Sequence, residues 1–220
     1  KEAQKLGYAE RDPSADIDGI DVANKVIISC LAAFDALCPN SLPVTGIRTL
    51  KKSDVDLFAV HGRTVKLIGR ALRQGDRFAA CVEPVALPAS YVEANVPANF
   101  NILGLSATTV GDLKFYGQGA GSLPTGNAML QDVLDYAAGE RPEFHICKDL
   151  VFDPSLFVGD YVLRADDATA LEGCTMDWRS YGANAWLVRD IDPIVAKRLL
   201  SLARTSDPEA IIFARPRKDI

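Results

Sequence analysis

The sequence predicts an α+β protein: a mainly antiparallel mixed sheet with helices on one face, followed by a small α/β appendage at the C-terminal end. Three observations carry this. Ile20, Ala23, Ile27, Leu31, Phe34 and Leu37 recur at helical spacing and make one apolar stripe. Four apolar segments between Thr64 and Tyr116 are broken by Gln74-Gly75-Asp76 and Gly111-Asp112, links short enough to demand antiparallel hairpins. Near the end, two strand-like runs precede Asp192-Pro193, an N-cap and first-position pair that opens a helix. The 220 residues are 48% apolar and 24% charged, enough to bury a real core.

In chain order, Lys1 to Leu6 reads as the last turns of a helix already under way, stopped at Gly7, so the chain is expected to begin inside a longer protein. A loop with Asp12-Pro13 and Asp18-Gly19 turn chemistry follows. The next helix should start near Asp18 or Gly19 and run to about Leu37. Val44 to Leu50 reads as a strand, and Ser53 is a candidate N-cap for a short helix to Val60. Strands are expected over 64–73, 77–87, 100–109 and 113–116. The apolar residues of 78–82 and 102–105 fall on both alternating sets, which asks for cover on both sheet faces by helices or a second subunit. Gly117-Gln118-Gly119-Ala120-Gly121 then opens into a helix from about Thr125 to Ala138. Beyond Gly139 the pattern weakens until strands at 160–165 and 185–191, the helix from Asp192 to Arg204 and a last strand at 210–214. This divides the chain into 1–138, the main domain, and 139–220, a small extension.

Composition excludes several function classes. A net charge of −5 supplies no basic field for nucleic acid or an anionic membrane, and the longest apolar run, 26–34, is too short to span a bilayer. Five scattered cysteines without a CxxC pair suggest reduced thiols in the cytoplasm. His61 and His145 lie outside metal-ligand spacing of any cysteine or of each other, so no metal site is expected. His61 reads as a helix-end residue, His145 as structural or exposed, and Trp178 and Trp186 as packing.

Two stretches carry candidate chemistry. Glu10, Asp12, Asp16, Asp18 and Asp21 crowd the approach to the apolar helix, and Lys25 follows Asp21 by four residues, on the same helical face. One explanation is structural: Asp18 as N-cap and Asp21 against the helix dipole are worth about 0.3–1 kcal/mol, and an exposed Asp21/Lys25 pair adds about 0.2–0.5 kcal/mol. The other is chemical: carboxylates converge on a cationic or hydroxyl-bearing ligand while Lys25 handles a proton, a transfer worth about 10²–10⁴-fold in rate. The glycine loop resembles a dinucleotide fingerprint, yet Ser122 fills its third position, Pro124 enters the first helical turn and the preceding sheet is antiparallel. A loop closing over part of a ligand, or a plain turn, fits better.

Lys5-Leu6-Gly7-Tyr8-Ala9-Glu10-x-Asp12-Pro13, then Asp16-x-x-Gly19-x-Asp21-x-x-x-Lys25, Gly46-Ile47, Lys66-Leu67-Ile68-Gly69 and Gly117-Gln118-Gly119-Ala120-Gly121-x-x-Pro124-Thr125 resemble, in order, the substrate domain of the homoserine dehydrogenases. The resemblance implies NAD(P)-dependent interconversion of aspartate 4-semialdehyde and homoserine. It implies Lys25 as acid/base, Asp21 as the residue orienting it, Glu10, Asp16 and the Tyr8 backbone as the substrate holders, and Gly119, Ala120 and Gly121 at the nicotinamide. It further implies a homodimer formed through the sheet domain and a nucleotide fold N-terminal to this segment, onto which the 125–138 helix docks; the segment alone would be inactive. Gly126 and Asn101-Ile102 depart from the family's common Ala and Asn-Ala. The tail from Gly139 carries no clear regulatory ACT pattern and is similar to the short C-terminal extension of some members. Two other readings stand beside this one: a non-catalytic regulatory or assembly module on the same scaffold, and a related nicotinamide oxidoreductase for another small amino-acid aldehyde.

Overall fold

The computed structural model describes residues 12–217. The expected helix at Lys1 to Leu6 lies outside the described residues. The chain forms two compact units, one from Ser90–Glu143 and the other from Ser14–Ala89 together with the chain from Phe144 onward.

The larger unit is a mixed, mainly antiparallel sheet with helices, as the sequence predicts. One turn, α1 (Ser14–Ile17), precedes α2 (Ile20–Phe34), and α3 is Lys52–Val60. Strands β1 (Arg63–Gln74) and β2 (Arg77–Pro88) form a hairpin in register across their full length. After the second unit, which holds β3 (Phe100–Ala107), β4 (Gly111–Gln118) and α4 (Ser122–Ala137), the chain returns with β5 (Val151–Phe152), β6 (Gly159–Arg164), β7 (Trp178–Gly182) and β8 (Ala185–Ile191). Helix α5 (Pro193–Ala203) and β9 (Ile211–Arg215) complete it. The strand order is β1-β2-β9-β6-β8-β7, with β5 also on β2. The two contacts of β2 with β5 and β9 are parallel, and the other pairings are antiparallel.

Strands from both sides of the 138/139 division thus share one sheet: β2 pairs with β5 and β9 along one edge. The joint is heavily bonded. Arg164 of β6 donates to Asp54 of α3 at 2.9 Å and to the carbonyls of Thr49 and Glu209 at 2.8 and 2.7 Å. On the sheet face away from α2, Glu83 accepts from Arg70, from the Tyr161 hydroxyl at 3.0 Å and from the Cys81 thiol at 3.6 Å. Burial, then the nearby Glu83 carboxylate, pushes the Cys81 thiol and the Tyr161 phenol above their ordinary ranges.

The other face carries α2 and α3. Ala23, Val26 and Cys30 of α2 pack on Phe78, Ala80 and Val82, while Phe58 of α3 packs on Ala86, Val162, Leu187, Ile211 and Phe213. Four local expectations are corrected. Helix α2 stops at Phe34, not Leu37, because Asp35 takes φ 57° and turns the Ala36 N–H back to the Cys30 carbonyl. Its N-cap is Gly19 at φ 80°, with no side-chain cap, so Asp18 does not cap it. The strand at 44–50 shrinks to one bridge, Val44 to Val82, since the chain turns at Ile47–Leu50. Lys51, not Ser53, caps α3, with Asp54 accepting the Lys51 N–H at 2.8 Å. The Asp192-Pro193 start of α5 is as expected: Asp192 accepts from the N–H groups of Ile194 and Val195 at 2.8 and 2.9 Å.

In the smaller unit β3 and β4 pair antiparallel from Phe100↔Gln118 to Ala107↔Gly111. The cover expected over both faces is not complete among the described residues: Leu103, Leu105, Leu113 and Phe115 are exposed, as are Met129, Leu130 and Val133 of α4.

Candidate functional site

The site is built on the N-terminal end of α2. Its apolar residues seat the helix on β1 and β2, so Asp21 and Lys25, one turn apart, project from a different stripe into solvent. Lys25 Nζ lies 2.8 Å from Asp21 Oδ2, with the side chains 55% and 46% exposed. Asp16 is on α1, one turn ahead of the Gly19 cap, and is exposed. Tyr8 and Glu10 lie outside the described residues.

Asp18 is committed elsewhere. Arg48 grips both its oxygens, Nε to Oδ1 at 2.8 Å and Nη2 to Oδ2 at 2.5 Å, and reaches Ser14 Oγ at 3.2 Å. The Ile47 N–H donates to the Ile17 carbonyl at 2.7 Å. Gly46 permits that approach, because a Cβ there would fall 2.6 Å from Asp18 Cα. Arg48 escaped the sequence reading; the signal was its place directly after Gly46-Ile47, the lone cation of that stretch before Lys51.

The glycine loop belongs to the smaller unit. The Gly119 N–H donates to the Asn99 carbonyl at 2.9 Å, and the Asn99 amide donates to the Ala120 carbonyl at 3.0 Å. Gly121, at φ 125°, is the N-cap of α4, which begins at Ser122, three residues before the expected helix start, and Pro124 sits within the first turn, where a missing N–H costs nothing.

Chemically, an ammonium held by one carboxylate at the exposed start of a helix suits moving a proton at a neighbouring oxygen. Among the described residues no group of three or more His, Cys, Asp or Glu is placed to hold a metal ion. No helix among them is long and apolar enough to cross a membrane.

The family model "Homoserine dehydrogenase" matches residues 1–134. A homoserine dehydrogenase of Neisseria gonorrhoeae is 35% identical over 172 residues, 77% of this chain and 40% of that protein. An NAD(+)-dependent homoserine dehydrogenase of Pseudomonas canavaninivorans is 36% identical over 135 residues, 60% of this chain and 38% of that one. Among solved structures, the homoserine dehydrogenase of Thiobacillus denitrificans superposes with a TM-score of 0.71 at 25% identity, covering 97% of this chain and 57% of that chain. A hyperthermophilic archaeal homoserine dehydrogenase in complex with NADPH gives 0.51 at 25% identity, over 66% of this chain and 40% of the other. The chain therefore spans less than half the length of these curated relatives. With the profile covering more than half of its residues and the fold shared almost end to end, the chain belongs to the homoserine dehydrogenase family.

Proposed function

We propose that this chain is the substrate-binding and dimerisation part of an NAD(P)-dependent homoserine dehydrogenase, interconverting L-homoserine and L-aspartate 4-semialdehyde on the biosynthetic route to threonine and methionine. The observation that carries the reading is the Asp21–Lys25 pair at the start of α2, behind the Asp16 turn, inside the matched segment.

In the oxidative direction Lys25 accepts the homoserine hydroxyl proton as the neutral amine, and in the reverse its ammonium gives that proton to the carbonyl oxygen; Asp21 orients the side chain. Asp16, with Glu10 and the Tyr8 backbone, holds the substrate ammonium, a pairing that carboxylates favour over a neutral pocket. NAD(P), when bound, would supply the redox chemistry, as hydride acceptor from the hydroxyl-bearing carbon or hydride donor to the carbonyl carbon. Gly119, Ala120 and Gly121 fit the nicotinamide end: two of the three residues bear no side chain, and Asn99 pins their backbone at the start of α4. The relatives include both an NAD(+)-dependent and an NADPH-bound protein, which supports the cofactor class without selecting between its two forms.

The uncovered apolar rows of β3 and β4 support a homodimer through this sheet, and the exposed apolar stripe of α4 supports docking on a nucleotide-binding domain. Residues 139–220 then act as an extension that completes the larger sheet. All five cysteines are free, in keeping with a reducing cytoplasm. The uniformly enzymatic names of the relatives do not favour a non-catalytic module. In the intact enzyme, Lys25→Ala is expected to lower turnover by at least about two orders of magnitude with the fold intact. Near-normal turnover removes Lys25 from this role.

A further inference from the structure

Helix α2 has no side-chain cap and its Gly19 N-cap is left-handed, so locally the direction from which the acidic turn approaches rests on one long bond, the Gly19 N–H to the Asp16 carbonyl at 3.3 Å. Further support comes from outside the helix. The Val82 N–H donates to Pro43 and the Thr45 N–H to Val82, at 2.9 and 2.7 Å, anchoring the 43–45 segment to the buried strand β2. From this anchor Gly46, Ile47 and Arg48 reach the turn: Ile47 bonds the Ile17 carbonyl, and Arg48 holds Asp18 through both oxygens and Ser14 through its hydroxyl. Ser14 and Asp18 are the two ends of the turn that carries Asp16, so the guanidinium spans it.

We infer that Arg48 is a positioning residue: paired with Asp18 and Ser14, it fixes the turn carrying Asp16 relative to the start of the helix carrying Asp21 and Lys25. The inference rests on the reading of Asp16 and Lys25 as site residues. An Arg–carboxylate pair this exposed, 54% and 37%, contributes little to stability, so its consequence is geometric. A planar fork that bonds two carboxylate oxygens fixes direction as well as distance, which an ammonium cannot do. Its charge also offsets that of Asp18, leaving Asp16 to a cationic ligand.

The test is steady-state kinetics of the intact enzyme with homoserine and cofactor varied separately. Arg48→Ala is expected to lower kcat/KM for homoserine about 10- to 100-fold, the scale of a displaced binding group, while the cofactor KM moves less than about twofold. Arg48→Lys should not restore it. In an Asp16→Asn background the same Arg48→Ala change should cost less than about threefold, because the group it positions is already gone. A purely structural role would give equal losses in both backgrounds; that result, or an Arg48→Ala enzyme within about threefold of the parent, overturns the inference. Should Arg48→Ala fail to fold, Asp18→Asn breaks the same pair and is judged by the same comparison. Lys25→Ala separates the two levels: if it is fully active the site reading itself falls, whereas an inactive Lys25→Ala beside a normal Arg48→Ala removes only the positioning role.

Discussion

Gly69 of β1 is where helix α2 meets the sheet, and Gly69→Ala tests how tightly. Gly69 pairs with Val82, and the α-hydrogen in its side-chain position faces α2. A Cβ built there would lie closer than 3.0 Å to Val26 Cγ2 and 3.0 Å from Val22 Cγ1. The optimum between carbon atoms is about 3.5–4.0 Å, so the two elements must separate by more than about an ångström. Val26 cannot swing aside cheaply, since a β-branched residue in a helix is held to one rotamer, and it is 7% exposed within the core. Overpacking of this kind costs about 1–3 kcal/mol. For a chain of this size that is a fall in Tm of about 2–12 °C. Urea unfolding should show a lower midpoint at unchanged slope, and because α2 carries Asp21 and Lys25, kcat should fall with it. Val26→Ala removes the obstructing methyls; the double variant should be more stable than additivity predicts by about 1 kcal/mol or more. A Gly69→Ala protein within about 0.5 kcal/mol of the parent, or strictly additive losses, would refute the argument.

Two further outcomes follow from the larger unit. Asp192→Ala strips two N–H groups of α5 of their acceptor and should cost about 0.5–2 kcal/mol by urea titration; a change below about 0.3 kcal/mol would contradict the cap. The Cys81 thiol and Tyr161 phenol, raised by burial and then by Glu83, keep their protons in the native state as the unfolded chain loses them past the ordinary values of 9.0 and 10.0. The native state then binds more protons, so stability is fully present below about pH 9 and declines above it, at up to about 1.4 kcal/mol per pH unit per group. Cys81→Ala should make the decline shallower, and a flat Tm across that range would contradict it.

The sequence made most of the fold legible because its signals are local. The 3.6-residue stripe gave the helix α2, though its buried face centres on Ala23, Val26 and Cys30 while Ile20 and Leu37 of the stripe are exposed; the Gln74-Gly75-Asp76 turn gave the β1–β2 hairpin, and Asp192-Pro193 located the start of α5 to the residue. What it concealed depends on distant partners. Strand β7 was missed because Trp178 to Gly182 alternates weakly and owes its extended form to pairing with β8. The union of the C-terminal strands with β2 was hidden for the same reason: parallel contacts of one or two residues leave no periodic trace. Asp18 was misread as a cap because capping is the local use of an aspartate before a helix, whereas Arg48, thirty positions on, claims it. Gly69 stood in the recognised Lys66–Gly69 motif with no stated reason; the seat of Val26 supplies one.

The exposure of the Asp21–Lys25 pair separates its chemical role from a structural one. At this exposure an i,i+4 pair adds only about 0.2–0.5 kcal/mol, and neither side chain belongs to the core that seats α2. If the pair existed for the helix, Lys25→Ala and Asp21→Asn would leave turnover as nearly untouched as stability. If it exists for the proton, both variants should melt within about 2 °C of the parent yet lose turnover, Asp21→Asn less than Lys25→Ala because it removes the orienting charge and leaves the amine. A variant that loses Tm and turnover in proportion would assign the pair to the fold, as an i,i+4 contact of α2 and nothing more.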